Sequence, residues 1–162
     1  MGFILFGLLA VFLLVLLKSA FRTVPEYERA VVYTLGRYAR TAGPGLILVK
    51  PFVETVVRVD MREQVLAVPG RDIFTKDRKP CGLDAAVRYR IVEADKAANN
   101  VADYKTAVAE LARKLFSESL ARLAFGDIPA ARAQLSSGIG EALGAQTRGW
   151  GIEVAGVTLN PQ

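Results

Sequence analysis

The sequence contains no histidine and only one cysteine, Cys81. Histidine is the usual general base, zinc ligand and pH switch, so its absence excludes a Ser-His-Asp or Cys-His mechanism within this chain. A single cysteine excludes an internal disulfide and leaves a thiolate metal site without partners. The sequence therefore predicts no metal, no cofactor and no catalytic residue, and we do not expect an enzyme.

Runs of like charge are also missing. The formal net charge is +5, but Lys and Arg are interleaved with Asp and Glu, and no five basic residues stand together. A nucleic-acid-binding domain would gather its basic residues in a patch or stripe. The basic excess lies instead at residues 18–42, just after an apolar segment, where anionic lipid headgroups would be. No nucleic-acid partner is expected.

Residues 2–17 contain neither a charged residue nor proline. As a helix they would span roughly 24 Å, and counting through Phe21 with a snorkelling Lys18 gives about 30 Å, the thickness of a bilayer core. We predict that residues 1–21 form a membrane anchor, either single-pass or re-entrant. The residues assigned to the anchor are Phe3, Ile4, Leu5, Phe6, Leu8, Leu9, Val11, Phe12, Leu13, Leu14, Val15, Leu16 and Leu17.

A cleaved signal peptide is the alternative interpretation of this segment. The positively charged region that begins such a peptide is missing, and residues 17–20 make a poor cleavage site.

Lys18 and Arg22 follow the segment, whereas no charged side chain precedes it. The positive-inside rule then predicts a membrane protein whose remaining domain lies on the cytoplasmic face.

The stretch from residue 29 to residue 92 shows the short apolar runs and turn signals of β-strands. The predicted strands cover residues 29–35, 46–49, 54–60 and 64–68, separated by glycine and proline. The clearest alternation comes last, where one face holds Leu83, Ala85, Val87, Tyr89 and Ile91. Charged residues occupy much of the opposite face, which predicts a half-buried strand.

Helical spacing replaces the strand pattern after residue 93. One helix is predicted from Val101, Tyr104, Val108, Leu111 and Leu115, with Asp103 as its N-cap. A second is predicted from Ile128, Ala131, Leu135, Ile139, Leu143 and Trp150, although its glycines each weaken it by about 1 kcal/mol relative to alanine. A last strand covers residues 152–159. Strands, then helices, then a returning strand are typical of an α+β fold.

Two groups of polar residues are candidates for a functional site. Asp84 with Arg88 and Arg90 could form a buried charge set, but the solvated face of an edge strand is the simpler interpretation. Thr75-Lys76-Asp77 is interpreted as a polar turn without a catalytic partner. Neither group assembles a nucleophile, a base and an oxyanion site.

Seven short motifs, in this order and spacing, resemble the stomatin-like (slipin) branch of the SPFH or band 7 family. They are residues 24–32 and 35–37, Gly43-Pro44-Gly45-Leu46, Val59-Asp60-Met61-Arg62, Thr75-Lys76-Asp77, residues 84–91, and Trp150-Gly151-Ile152-Glu153-Val154. The family also includes prohibitins, flotillins and the bacterial Hfl membrane-protease regulators. The resemblance implies an SPFH domain over residues 22–162, with a curved, mostly antiparallel sheet packed on helices.

The same resemblance implies a function. It points to a membrane-anchored scaffold that oligomerises and organises membrane microdomains or regulates membrane proteins. Within the family, the alternative is an Hfl- or prohibitin-like regulator of a membrane AAA protease. Outside it, the alternative is a basic lipid- or nucleic-acid-binding module. The expected partners are the lipid bilayer, other copies or relatives of the chain, and a membrane protease or NfeD-like protein.

Two departures from the family's pattern bear on assembly. Members usually continue past the last strand into a long coiled-coil region, which these 162 residues do not contain. After Thr75-Lys76-Asp77 the family usually alternates valines, whereas residues 78–82 read Arg-Lys-Pro-Cys-Gly, slightly similar to the Hfl branch. We therefore expect small or heterogeneous oligomers formed by the globular domain rather than one large ring.

A second apolar cluster is predicted to touch the membrane surface. It comprises Leu46, Ile47, Leu48 and Phe52, with Lys50 among them. The alternative interpretation is that these side chains face the core of their own sheet.

The anchor prediction is tested by Leu9→Asp. A carboxylate near the centre of the segment is expected to cost about 2.5–3.5 kcal/mol of insertion free energy. The wild-type chain should stay in the membrane pellet after alkaline carbonate washing, and the variant should be partly released. Ser19→Asp, beyond the charge-free run of residues 2–17 and next to Lys18, is the control and should stay in the pellet. Release of the wild-type chain would contradict an embedded anchor.

Overall fold

A computed structural model describes residues 6–7, 14–15, 18–70, 73–80 and 83–161. The chain forms two compact units, Met1–Met61 and Arg62–Gln162. All strand pairs in both units are antiparallel among the described residues. The mixed helix and sheet content agrees with the predicted α+β class.

The N-terminal unit is built from five strands. They are β1 (Phe21–Val24), β2 (Glu28–Thr34), β3 (Arg37–Ala42), β4 (Gly45–Leu48) and β5 (Glu54–Asp60). One sheet has the order β3-β2-β5, and β1 pairs with β4 in a second, two-stranded sheet. The strands predicted at residues 29–35, 46–49 and 54–60 are confirmed. β3 escaped prediction because it is exposed along nearly its whole length and shows no apolar alternation.

Burial along β2 explains its central place in the unit. Ala30, Val31 and Val32 follow one another and each is fully buried. Since successive side chains of a strand point to opposite faces, β2 is covered on both sides. A β-bulge between Val32 and Tyr33 then shifts its register with β3.

The C-terminal unit packs three helices with a three-stranded sheet. Its strands are β6 (Gln64–Val68), β7 (Leu83–Ile91) and β8 (Ile152–Pro161), in the order β6-β7-β8. Its helices are α1 (Ala94–Asn99), α2 (Tyr104–Leu120) and α3 (Ile128–Thr147). The five residues predicted to share the inner face of β7 are all buried, which confirms the alternation. α1 was not predicted, since six residues are too few to show a helical period.

Helix α2 begins where the sequence predicts. The Asp103 carboxylate accepts the backbone N–H groups of Lys105, at 3.0 Å, and of Thr106. The hydroxyl of Thr106, followed by these N–H groups, lowers the pKa of Asp103. The predicted inner face is partly wrong, because Leu111 and Leu115 are only half-buried. The buried row is Val108, Ala112, Phe116 and Leu120, spaced four residues apart.

Helix α3 is also present over the predicted range, but its inner face differs. Ile139 and Leu143 are buried as predicted, whereas Ala131 and Leu135 are half-buried. At the end of the following turn, Gly151 has φ 68° and a β-carbon there would lie 2.5 Å from the Glu93 carbonyl oxygen. Glycine is therefore required at this position, which explains one element of the Trp150-Gly151 motif.

The predicted anchor falls largely outside the described residues. Of the apolar residues assigned to the anchor by name, the structure describes Phe6, Leu14 and Val15, each at least 60% exposed. Within the part of the chain that is described, no helix has the length and apolar composition to cross a membrane. The anchor stays a prediction, and Cys81 also lies outside the described residues.

The packing of α2 is tested by Phe116→Ala. Phe116 is fully buried, and removing a buried phenylalanine side chain costs about 3–5 kcal/mol of unfolding free energy through lost burial and the cavity left behind. Urea denaturation should show this loss. Ser117→Ala, the exposed neighbour, should change the unfolding free energy by less than about 0.5 kcal/mol. Equal effects of the two changes would contradict the assigned inner face.

Candidate functional site

Two loops of the N-terminal unit hold exposed apolar side chains on unusual backbone. Leu35, in the β2–β3 turn, has φ 50° and is 79% exposed. Phe52, in the loop between β4 and β5, has φ 69° and is 93% exposed. Positive φ is rare for residues other than glycine and costs of order 1–3 kcal/mol. At Leu35 and Gly36 positive φ is the conformation of a two-residue hairpin turn, and at both loops a large apolar side chain lies in solvent.

A backbone hydrogen bond links the two loops. The N–H of Leu35 donates to the carbonyl oxygen of Val53 at 2.9 Å. Val53 is itself 40% exposed. We call Leu35, Phe52 and Val53 the apolar tip of the N-terminal unit.

The ladder of β1 and β4 extends the exposed apolar surface. Leu46 and Leu48 are more than half exposed, whereas Ile47 between them is half-buried. Phe21 lies opposite Leu48 in the antiparallel register and is also exposed. Residues opposite each other project from the same face of a ladder. Of the four residues predicted to touch a membrane, the structure thus exposes Leu46, Leu48 and Phe52.

An ion pair fixes the loop that bears Phe52. Nη1 of Arg40 donates to Oε1 of Glu54 at 3.0 Å, and Nη2 donates to the Leu48 carbonyl oxygen at 2.8 Å. The other carboxylate oxygen of Glu54 accepts the backbone N–H of Lys50 at 3.0 Å. Arg40 therefore joins both ends of this loop to β3. We call this arrangement the Arg40–Glu54 clamp.

The electrostatics of the clamp favour the ionised carboxylate. The Glu54 side chain is only 3% exposed, against 46% for Arg40. The Arg40 guanidinium, followed by the Lys50 N–H, lowers the pKa of Glu54 below its usual value. Over residues 18–61 seven basic side chains face four carboxylates, so the surroundings of the apolar tip carry a positive excess.

The charge set considered on β7 does not come together. Asp84 accepts the backbone N–H of Gly70 at 2.9 Å, so it fastens the chain after β6 to β7. Arg90 pairs with Glu153 at 2.6 Å, and Arg88 lies 3.9 Å from Glu63, with both arginines more than half exposed. The solvated-face interpretation holds for the arginines. Among the described residues, no three potential metal ligands cluster.

Sequence reasoning missed part of this surface. Leu35 was assigned to a strand, although a leucine directly before glycine at the end of a strand is itself a sign of an exposed turn. Glu54 and Arg40 are 14 residues apart, so no local pattern reveals their pairing.

The pH dependence of stability tests the clamp. Because the pKa of Glu54 is lower in the folded state, its ionised form stabilises that state above the unfolded pKa, and this contribution is lost as pH falls through the folded pKa. The melting temperature should therefore fall as pH drops below 4.5, the ordinary pKa of glutamate. Glu54→Gln should lower the melting temperature at neutral pH and flatten its acid dependence.

The matched control for this prediction is Glu63→Gln, which removes a half-exposed carboxylate 3.9 Å from Arg88. Surface pairs of this kind contribute little to stability. Its melting curve should follow that of the wild-type chain at each pH. If the two glutamine variants behave alike, the clamp has no special role.

Comparison with known proteins adds an independent line of support. The sequence model of the SPFH domain / Band 7 family matches residues 22–160. An uncharacterized protein of Archaeoglobus fulgidus is 37% identical over 94% of this chain. A stomatin homolog of Pyrococcus horikoshii is 33% identical over 98% of the chain, and human stomatin-like protein 3 is 37% identical over 98%.

These relatives are longer proteins. The aligned region is 61% of the Archaeoglobus protein, 59% of the Pyrococcus protein and 56% of the human protein. The match nevertheless spans both compact units of the chain and confirms the resemblance drawn from its motifs. The protein belongs to the SPFH domain / Band 7 family.

Proposed function

We propose that this protein is a stomatin-like scaffold that holds its N-terminal unit against an anionic membrane surface and associates with its own copies or relatives. The apolar tip carries the proposal. Phe52 at 93% exposure and Leu35 at 79% are held outward by backbone of positive φ, in a unit with a basic excess. Large apolar side chains are unfavourable in water, so their exposure supports a partner that covers them.

The expected energies support membrane contact. Full burial of a leucine or phenylalanine side chain is worth about 1.5–3 kcal/mol. Each lysine or arginine near an anionic surface adds about 1 kcal/mol. Arg37 follows the turn of Leu35 and Lys50 precedes Phe52, and both are exposed. Insertion of the tip would thus bring basic side chains to the level of the headgroups.

Family membership supports the scaffold part of the proposal. Relatives are named stomatin homolog and stomatin-like protein 3, and the family consists generally of non-enzymatic scaffolds. In this proposal the anchor of residues 1–21 confines the chain to the cytoplasmic face of a membrane. Confinement raises the effective concentration of neighbouring copies, which favours self-association.

Liposome binding tests the membrane contact. In a chain lacking residues 1–17, Leu46→Ser with Leu48→Ser should weaken binding to phosphatidylserine vesicles at least about tenfold, because two apolar side chains leave the bilayer. Co-sedimentation measures the affinity, and circular dichroism checks that the variant is folded.

Val65→Ser provides the control, since Val65 lies in the C-terminal unit and its 66% exposure matches the 67% of Leu46. This change should leave vesicle binding as it was. Unfolding of the Leu46/Leu48 variant would support the core interpretation of these residues. A folded variant with undiminished binding would contradict the proposed contact.

A further inference from the structure

An open groove runs between helices α2 and α3 of the C-terminal unit. Its volume is about 450 Å³, which is within the range of small-molecule pockets and leaves room for a side chain of a partner. Leu115, Leu135 and Ile139 line it, and the first two are the helix residues that the unit leaves half-buried. Gly138 borders the groove, and a β-carbon added there would meet no atom within 4 Å. The groove is therefore an unfilled recess with apolar side chains from both helices, while Glu118, Ser119, Arg122 and Gln134 supply polar lining.

A basic corner adjoins the groove at Arg122 and Leu123, which both line it. Leu123 lines the groove, and its backbone carbonyl oxygen accepts a hydrogen bond from the backbone N–H of Lys76 at 3.0 Å. The Asp77 carboxylate accepts the N–H of Phe125 at 3.0 Å. These bonds seat the turn of residues 74–80 on the connection between α2 and α3. The exposed cations that meet there are Lys76, Arg78, Lys79 and Arg122, and we call them the basic corner.

Hydrogen bonds hold the backbone of the turn that bears Lys76, Arg78 and Lys79. Thr75 is 4% exposed, and its N–H and hydroxyl both donate to the Lys79 carbonyl oxygen, at 3.0 and 3.2 Å. Arg78 has φ 57°. Nζ of Lys79 lies 5.7 Å from the centroid of the Phe125 ring. A surface fixed before binding loses little conformational entropy on contact.

The cations of the corner have spare binding capacity. Among the described residues, no carboxylate lies within 4 Å of Lys76, Arg78 or Lys79. The one carboxylate in the turn, Asp77, is engaged by a backbone N–H. Asp77 keeps its negative charge, so the turn of Lys76, Arg78 and Lys79 carries a net positive charge of two, which attracts an anionic partner and disfavours a basic one.

We infer that the groove and the basic corner together dock an acidic segment of another protein, which places an apolar side chain between α2 and α3 and its carboxylates on the corner. The groove has room for an apolar side chain, and the positive charge of the basic corner favours carboxylates. An apolar anchor in a pocket with charges at the rim is the usual anatomy of such contacts.

Among the described residues no three acidic side chains cluster, so this part of a second copy offers no comparable acidic surface. In the C-terminal unit, exposed or half-exposed carboxylates away from the corner are spread over separate elements, with Asp95 on α1, Glu110 on α2 and Glu141 on α3. A bilayer is also a poor occupant, because a flat surface does not fill a recess between helices. The partner is therefore a different protein.

Filling the groove tests the inference without weakening the helix. Gly138→Leu places a side chain in the recess and improves helix propensity. Gly144→Leu makes the same change where a β-carbon again meets nothing within 4 Å, but Gly144 does not line the groove. The probe is a short fluorescent peptide that alternates Glu and Gly around one central Trp, added to the full chain in detergent. Gly138→Leu should weaken its binding about tenfold or more, whereas Gly144→Leu should not.

Charge reversal tests the corner separately. Lys76→Glu with Lys79→Glu should weaken peptide binding about tenfold or more. Lys96→Glu with Lys105→Glu, at exposed positions of α1 and α2 that do not line the groove, makes the same change in net charge and is the control. Binding to phosphatidylserine vesicles should be equal for the two charge-reversal variants, which separates this site from the membrane contact proposed above.

Several outcomes would overturn the inference. These are failure of the peptide to bind the wild-type chain, equal weakening by both charge-reversal variants, and unchanged binding by Gly138→Leu. A loss of self-association in Gly138→Leu would assign the groove to a second copy. A loss of vesicle binding in Lys76→Glu/Lys79→Glu alone would assign the corner to lipid.

Discussion

Alternating burial along β7 is the constraint on which the C-terminal unit depends. Its odd-numbered residues from Leu83 to Ile91 are buried, and its two edges pair with β6 and β8. A shift of one residue in register would turn this apolar face to solvent. Asp84 fixes the start of the strand by accepting the Gly70 N–H. There is no room for a side chain at Gly70, because a β-carbon would lie 1.8 Å from the Leu83 carbonyl oxygen.

In the N-terminal unit, a buried strand is combined with two loop residues of unusual backbone conformation. Its core is the continuous buried run of β2, while two residues with positive φ turn large apolar side chains outward. Such conformations persist only when the surroundings enforce them. The Arg40–Glu54 clamp and the bond between Leu35 and Val53 supply that enforcement. Stability and surface shape are thus coupled in this unit, since the contacts that hold the loops also present the tip.

The two units offer chemically distinct surfaces. The apolar tip consists of exposed large side chains, which is the kind of surface that the proposed bilayer contact would cover. The groove of the C-terminal unit is a recess beside the basic corner, which suits an acidic protein segment. A scaffold of the SPFH domain / Band 7 family that carried both could hold a membrane and a client protein at once. Neither surface requires a catalytic residue, in keeping with a sequence that lacks histidine.

The sequence by itself determined the strands with strong apolar patterns, both long helices, the N-cap at Asp103 and the family. Local signals suffice there, because period, capping and glycine position act over a few residues. Only the tertiary structure decided which residues of α2 and α3 face inward, since the buried row of α2 runs through Ala112 and Phe116 and leaves Leu115 beside an open groove. It also decided the pairing of Arg40 with Glu54 and the docking of Asp77 on Phe125. These contacts join residues far apart along the chain, and the energy that selects them comes from packing and charge complementarity that no local pattern contains.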